Sequence, residues 1–593
     1  MIYFVYLVIY LIAELCVENY SALVYPDENG RLVYQADSQG NVIPDFSNCG
    51  YKGGGVALPN VPVVRTVWPQ VEGDDTARLQ AAINEVSMLT PDSNGFRGAL
   101  LLKRGEYRVE GRLSIRTSGV VLRGEGDGVN GTVIIATGTS DRTLIRFLGI
   151  GNPVKVAGTR QAIVDDYVPV GARTFEVENG SGFAEDDSVI VHRPGTQEWI
   201  EELEMDDLDD PWQAVKYNLL FDRVVTKVEG NFVTLDAPLG NSLDHNYGGG
   251  WIYKYTFTGR IEKVGIENIR GVSEYDDSVT DSNGNFIHID HADGFVDFVD
   301  VKNGWARNLT GAHFSYSCVS IKESKWVTVQ DVQHLEPVSP IVGGERYAFV
   351  LDGSPRDVNS QLILFQRCYS LKGRHSFVLQ GRIQGPNAFV DCVSDEPYSD
   401  EGPHRHWSTA ALYDNVRGIV GNNNAKINVR NRGDWGTGHG WAGANMVLWN
   451  CDVNTMIVQK PPTAQNYAIG CKGVITAGSE PDGYWESNGT HVYPRSLYYK
   501  QLEDRLGMDA VRAVATNEQI GRLMASKRVQ GKIGQVQQGD FNGDGCIGFS
   551  DFLAFASHYG LREGQTRYNA RYDLDGDKSI GFGDFLIFAA NFG

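Results

Sequence analysis

The sequence predicts an all-β chain wound as a right-handed parallel β-helix (a solenoid), with an inserted β subdomain and a small α-helical module at its C-terminus. Three observations carry this. A short motif recurs at coil-like intervals, an amphipathic helix precedes the first β-prone runs, and those runs are brief and separated by Gly-rich turns. A chain of 593 residues can bury a large core, and 69 glycines with 11% aromatic residues suit a turn-rich β protein.

The elements follow in order. Met1 to Ala13 is almost wholly apolar and too short to span a membrane, so residues 1–22 read as a secretory signal peptide with Tyr20-Ser-Ala22 at its end. In Gly73 to Val86 the apolar residues fall at helical spacing behind an Asp75-Thr76 cap. Leu101 to Tyr107, Gly119 to Gly124 and Thr132 to Ile135 are the first strands. The body of the solenoid spans residues 23–500, interrupted at about 166–255 by a β subdomain. Strands there read as Asp187 to Arg193 and Asn231 to Leu235, with an acid-rich, solvated loop from Glu198 to Asp210 between them. The repeat itself is Phe365-Gln-Arg-Cys368, Phe389-Val-Asp-Cys392, Tyr413-Asp-Asn-Val416, Trp449-Asn-Cys451 and Ile469-Gly-Cys471, its last residues 24, 24, 35 and 20 apart. A coil of twenty-odd residues brings one apolar side chain inward per turn. The repeated cysteines form either a buried ladder of thiols or bridges Cys368–Cys392 and Cys451–Cys471. Residues 501–530 read as helical and 531–539 as a linker.

This entry helix, strand pattern and repeat resemble the pectate-lyase superfamily. The likeness runs from about Tyr51 to Met508 and is sharpest at Gly402-Pro-His404 to Trp407 and Gly438-His439-Gly440-Trp441. It implies a groove along one parallel sheet and activity on polysaccharide. Four of the 12 histidines lie in Gly-rich turns between Leu371 and Pro462. β-Elimination on a uronate needs a group on the carboxylate, a base for the C5 proton and an acid for the leaving oxygen. Arg fits the first task, because its fork matches a carboxylate, and His the others, because its charge changes near neutral pH. The expected catalytic set is therefore His404, His406, Arg405, Arg374 and His375, assisted by His439 or Lys460. Trp407 and Trp441 are expected to stack on sugar, with Asn445 and Arg382 also contacting substrate. Asp391, Asp395 and Asp400 are the candidates for a catalytic cation, whose existence is left open.

The last residues, 540–593, hold one acidic loop twice, 33 residues apart. Asp540, Asn542, Asp544 and Asp551 in the first copy, and Asp573, Asp575, Asp577 and Asp584 in the second, occupy loop positions 1, 3, 5 and 12. With the carbonyls of Cys546 and Ser579 they form oxygen sets for Ca²⁺. The pair resembles a dockerin module, which implies structural Ca²⁺ and a cohesin-like scaffold partner. Lys578 replaces the turn glycine of the second loop.

Net charge is −21, which argues against nucleic acid and leaves acidic polysaccharide dependent on a locally basic groove. The expected protein is secreted, acts on acidic polysaccharide and keeps no membrane span once the signal is removed. Two rival readings stand beside the lyase. One is a polygalacturonase-like hydrolase, suggested by Gly438-His439-Gly440, although only Asp414-Asn415 stands near where paired carboxylates are needed. The other is a non-catalytic carbohydrate-binding surface protein.

Overall fold

The computed structural model describes residues 19–353, 358–419, 425–523, 539, 541 and 549–591. Most of the expected signal segment lies outside them, as do nearly all of the linker and Asp540, Asn542, Asp544 and Cys546 of the first acidic loop. The chain divides into two units, one of residues 21–491 and 496–514 and one containing residues 515–593.

The larger unit is a parallel β-helix. One column of parallel strands climbs through Gly98–Leu102, Val120–Arg123, Gly265–Ser273, Val301–Ala312 and Lys325–Leu335, and on to Tyr467–Ile469. A second column stacks Leu113–Ile115, Thr143–Leu148, Gly294–Val299, Ser317–Lys322, Phe349–Leu351, Phe377–Leu379 and Asp400–Pro403.

The sequence repeat has a backbone cause. Each coil bends at a residue in the left-handed region: Asn268, Asn308, Asp331, Arg367, Asp391, Asn415 and Asn450, with φ between 51° and 56°, and then Gly470 at 68°. Asn, Asp and Gly tolerate that conformation best. The following residue points into the lumen. Ile269, Leu309, Val332, Cys368, Cys392, Val416, Cys451 and Cys471 form one buried column. Beside it Phe365, Phe389 and Tyr413 stack with ring centres 5.0 Å apart. All six described cysteines are free thiols, so the ladder is hydrophobic packing and not bridges.

The entry helix is Thr76–Ser87, and it sets Leu79, Ala82, Ile83 and Val86 against the first coils. Asp75 does not cap it with its side chain, because its carboxylate is drawn to Arg78 and to the Arg108 N–H. Helix Leu497–Leu506 belongs to the same unit. Its Tyr499 hydroxyl donates to Gln366, and Asp414 accepts from the Ser496 hydroxyl and the Tyr498 N–H. Asp414 is thereby a buried bracket, not a catalytic carboxylate.

The insertion folds as an antiparallel sheet with Ser188–Arg193 between Leu219–Glu229 and Trp251–Thr256. Its acid-rich stretch differs from the expected solvated loop. Residues Gln197–Glu202 form a short helix whose Trp199 and Ile200 are buried, and the chain beyond packs on the Gly438–Gly440 turn. Among the described residues no helix is long and apolar enough to cross a membrane.

Candidate functional site

The second strand column positions the site. Its outward side chains alternate, so residues in register form rows up the stack. Val378 lies beside Gly402, and continuing the register by two residues sets Gln380 beside His404. The turn ending at His439 joins them from a later coil, its His439 carbonyl accepting from the His406 N–H at 3.0 Å.

Four histidines from three turns meet here. His375 and His404 have ring centres 4.8 Å apart, His404 and His439 5.0 Å, and His406 and His439 6.0 Å. Tyr347, which the sequence gave no reason to select, lies 5.1 Å from His375 and 5.6 Å from His404. His375 Nδ1 faces the Asp400 carbonyl oxygen, while His375 Nε2 and His404 Nδ1 are buried without a hydrogen-bond partner among the described residues. Buried polar atoms usually find a partner in a folded protein, so these two nitrogens are open to one.

Electrostatics hold the imidazoles neutral. Burial pushes His375, His406 and His439 down to about 4, helped by neighbouring cations: Arg374 for His375 and Arg405 for the other two. His404 falls further still, through burial and then the neighbouring His375 and Arg432. Among the described residues neither Arg374 nor Arg405 is in an ion pair. Arg374 reaches the Tyr347 hydroxyl at 3.4 Å, and Arg405 Nε donates to the Gln380 carbonyl at 2.8 Å. Arg432 is spoken for: it pairs with Asp400, whose carboxyl sits well below its ordinary range despite burial. The next residue, Glu401, points the other way. Its carboxyl accepts from the Phe377 N–H at 2.7 Å, and burial pushes it up to about 7.

Other expected residues lie elsewhere. Trp407 and Trp441 are 0% and 2% exposed and belong to the insertion's core, with Trp199 edge-on to Trp407 at 5.0 Å. Neither offers a ring face to a sugar, because the insertion covers both. Asn445 is buried, bonding the Gly240 carbonyl and the Gln465 N–H. Lys460 is exposed and lines a separate cleft of about 410 Å³. Arg382 does lie near the cluster, donating to the Lys216 carbonyl at 2.8 Å and sharing a small pocket with His406 and Tyr217. The exposed aromatic beside the site is Trp435, at 55% exposure, with the guanidiniums of Arg430 and Arg432 5.1 and 5.7 Å from its ring centre. Asp391, Asp395 and Asp400 do not converge on a cation. Asp391 occupies a coil bend, Asp395 accepts from the Tyr369 hydroxyl and Asp400 holds Arg432.

In the C-terminal unit, Asp573, Asp575, Asp577 and Asp584 bring carboxylate oxygens within 4.8 Å of one another. Four anions this close, with only oxygen donors, fit a hard divalent cation. Asp584 also accepts from the N–H groups of Leu574 and Asp575, and in the first loop Asp551 accepts from Phe541 N–H in the matching place. Lys578 takes the turn position at φ 70°, where glycine is usual. Phe541, Phe555, Leu574, Ile580 and Phe588 form the core of this unit.

No family model and no curated protein matches the chain. Among solved structures it is similar to open reading frame 18 of Geobacillus virus E2, at 14% identity and TM-score 0.32. That match covers 70% of this chain and 57% of the viral one, so the chain spans little more than half its length. It is also similar to an alginate lyase from a Paenibacillus species, at 9% identity and TM-score 0.35, covering 72% of this chain and 100% of that one. The tailspike of Escherichia coli bacteriophage HK620, in complex with a pentasaccharide, gives 10% identity and TM-score 0.36, covering 79% and 70%. Likenesses this distant carry no argument about activity; the β-helix rests on the strand register above.

Proposed function

We propose that the protein is an extracellular enzyme that cleaves acidic polysaccharide by β-elimination. The observation that supports this best is the row of neutral histidines, two with unpartnered buried nitrogens, beside two guanidiniums outside any described ion pair. Arg374 and Arg405 neutralise the uronate carboxylate and so acidify C5–H. His404 or His406, neutral at working pH, takes the C5 proton. The electron pair forms the C4–C5 double bond as the C4–O bond breaks, and the leaving oxygen takes a proton from the Tyr347 hydroxyl. Asp400 is a positioning residue that orients His375 through its carbonyl and fixes Arg432.

Hydrolysis is the second reading, and one observation favours it. On a neighbouring part of the same column burial and nearby Asp141 and Asp293 push Glu345 up to about 7, while burial and Asp297 raise Asp293. Such a carboxyl could serve as a general acid. Incubation with a panel of acidic polysaccharides, read by the ultraviolet absorbance of unsaturated uronate, separates the two. Rising absorbance supports elimination; new reducing ends without it move the assignment to hydrolysis; neither signal leaves a carbohydrate-binding protein.

The C-terminal repeats we assign to structural Ca²⁺, held in the second loop by Asp573, Asp575, Asp577, Asp584 and the Ser579 carbonyl, and to docking on a cohesin-like scaffold. Their charge repulsion predicts that a chelator lowers the melting temperature of this unit and leaves that of the β-helix unchanged, as calorimetry would read. An unmoved transition would remove the ion from the account.

A further inference from the structure

The cleft that Lys460 reaches is assembled from parts far apart in sequence. Tyr467 and Tyr484 stand opposite each other on parallel strands, ring centres 6.1 Å apart. Gln35 and Asn41 come from the N-terminal segment, and Lys460 and Gln465 from a turn between coils; together they line the space of about 410 Å³. Asn41 makes the N-terminal wall rigid, its side-chain oxygen accepting from the Tyr167 hydroxyl and the Val170 N–H, both at 2.9 Å. The turn is fixed as well: the Lys460 N–H donates to the Pro481 carbonyl at 2.8 Å, and Gln465 Nε2 to the Asn466 carbonyl at 2.8 Å. The Lys460 ammonium itself is in no ion pair with any described residue.

We infer that this cleft is an auxiliary subsite for one uronate unit of a polysaccharide, separate from the histidine row. The inference rests on the reading that the protein acts on acidic polysaccharide. Each part has a matching chemistry. The C–H face of a sugar ring packs on a partly exposed tyrosine such as Tyr484. Amides such as Gln35 and Gln465 can donate to and accept from ring hydroxyls. The one carboxylate lining the cleft, Asp37, is taken up by the Gln39 and Asn41 N–H groups and the Asn41 side-chain amide. The flexible Lys460 ammonium, with three donors, therefore takes a substrate carboxylate as its partner. In a chain of net charge −21 an unpaired cation in a polar-aromatic cleft selects for an acidic sugar over a neutral one. A second foothold of this kind keeps a long substrate on the enzyme between cuts.

The test uses the full chain and two probes, short oligouronates and neutral cello-oligosaccharides. Lysine acetylation read by mass spectrometry should show Lys460 protected by the oligouronate and not by the neutral sugar. In a His404→Ala background, Lys460→Gln should weaken oligouronate binding roughly fivefold and reduce its salt dependence. Tyr484→Ala should weaken it without changing that dependence. Equal Lys460 reactivity with and without oligouronate, or unchanged affinity in both variants, overturns the subsite. The two readings fail separately. Protection of Lys460 without any elimination product keeps the subsite and sinks the lyase; elimination without protection does the reverse.

Discussion

The β-helix carries two clusters of histidines, and they differ in one respect. Around Tyr275, residues His288, His291 and His313 also crowd together, with His288 and His291 stacked 5.6 Å apart and Tyr275 5.1 Å from His313. There His291 is satisfied on both nitrogens: Nδ1 meets the Ser273 hydroxyl at 2.7 Å, and Nε2 faces the carbonyl oxygens of Val338 and His288. No arginine ring surrounds it, and its buried imidazole pins a loop to the coils. In the row from His375 to His406 the rings meet edge to face, guanidiniums flank them and two nitrogens have no partner among the described residues. Histidine density does not separate function from bracing, and neither does an open nitrogen alone, since both nitrogens of the buried His334 also lack a partner among the described residues. The row is set apart by open nitrogens on rings that meet one another beside Arg374 and Arg405.

Substitution at the two clusters should therefore act on different quantities. His404→Ala is expected to cut kcat by about 10²–10⁴-fold with the melting temperature nearly unchanged. His291→Ala should leave turnover per folded molecule intact and cost about 1–3 kcal/mol in denaturant unfolding, since it removes the buried hydrogen bonds to the Ser273 hydroxyl and the Val338 carbonyl. Equal effects of both on activity would erase the distinction. Trp407→Ala sharpens it from within the site's own sequence window. It should destabilise the fold by about 3–5 kcal/mol, because it empties the insertion's core and touches no substrate.

The row also fixes a pH response. His375 is held near 4, below the ordinary histidine value, so between that pH and about 6.5 the unfolded chain binds more protons than the folded one. Its contribution to stability is complete above pH 6.5 and lost as pH falls towards 4. Glu401 runs oppositely. Its folded value near 7 lies above the unfolded one, so its contribution is complete below about pH 4.5 and lost as pH rises through 7. Glu401→Gln should raise stability at pH 8 by about 1–3 kcal/mol and change little at pH 4, measured by urea unfolding at both. The smallest effect belongs to Trp435→Ala, which should raise KM about two- to fivefold through the lost contact face and leave the melting temperature in place. A larger loss of stability would make Trp435 structural and narrow the site to the histidines.

Much of this was legible in the chain. The bends at Asn415 and Asn450 and the inward cysteines are local facts, repeated coil after coil, and they predict the solenoid and its register. The convergence of His375, His404, His406 and His439 follows from the same spacing, since turns of stacked coils come to one side. What failed depends on contacts across hundreds of residues. Trp407 looks like a sugar platform until Trp199 and the insertion cover it. Lys460 lies within the right span of numbers but faces a cleft built partly by residues 35–43. Tyr347 carried no signal, because a lone tyrosine before a strand looks the same whether its ring faces solvent or two imidazoles.

The Gly438–Gly440 turn shows what the insertion adds. Trp212 Nε1 donates to the Gly438 carbonyl at 2.9 Å, and a Cβ built on Gly440, at φ 55°, would lie 2.4 Å from the Met205 sulfur. The backbone that sets His439 is thus clamped by chain more than two hundred residues earlier. An excursion from one coil governs the geometry of a turn several coils away. Changes in that excursion can retune the histidine row without altering any residue that meets the substrate.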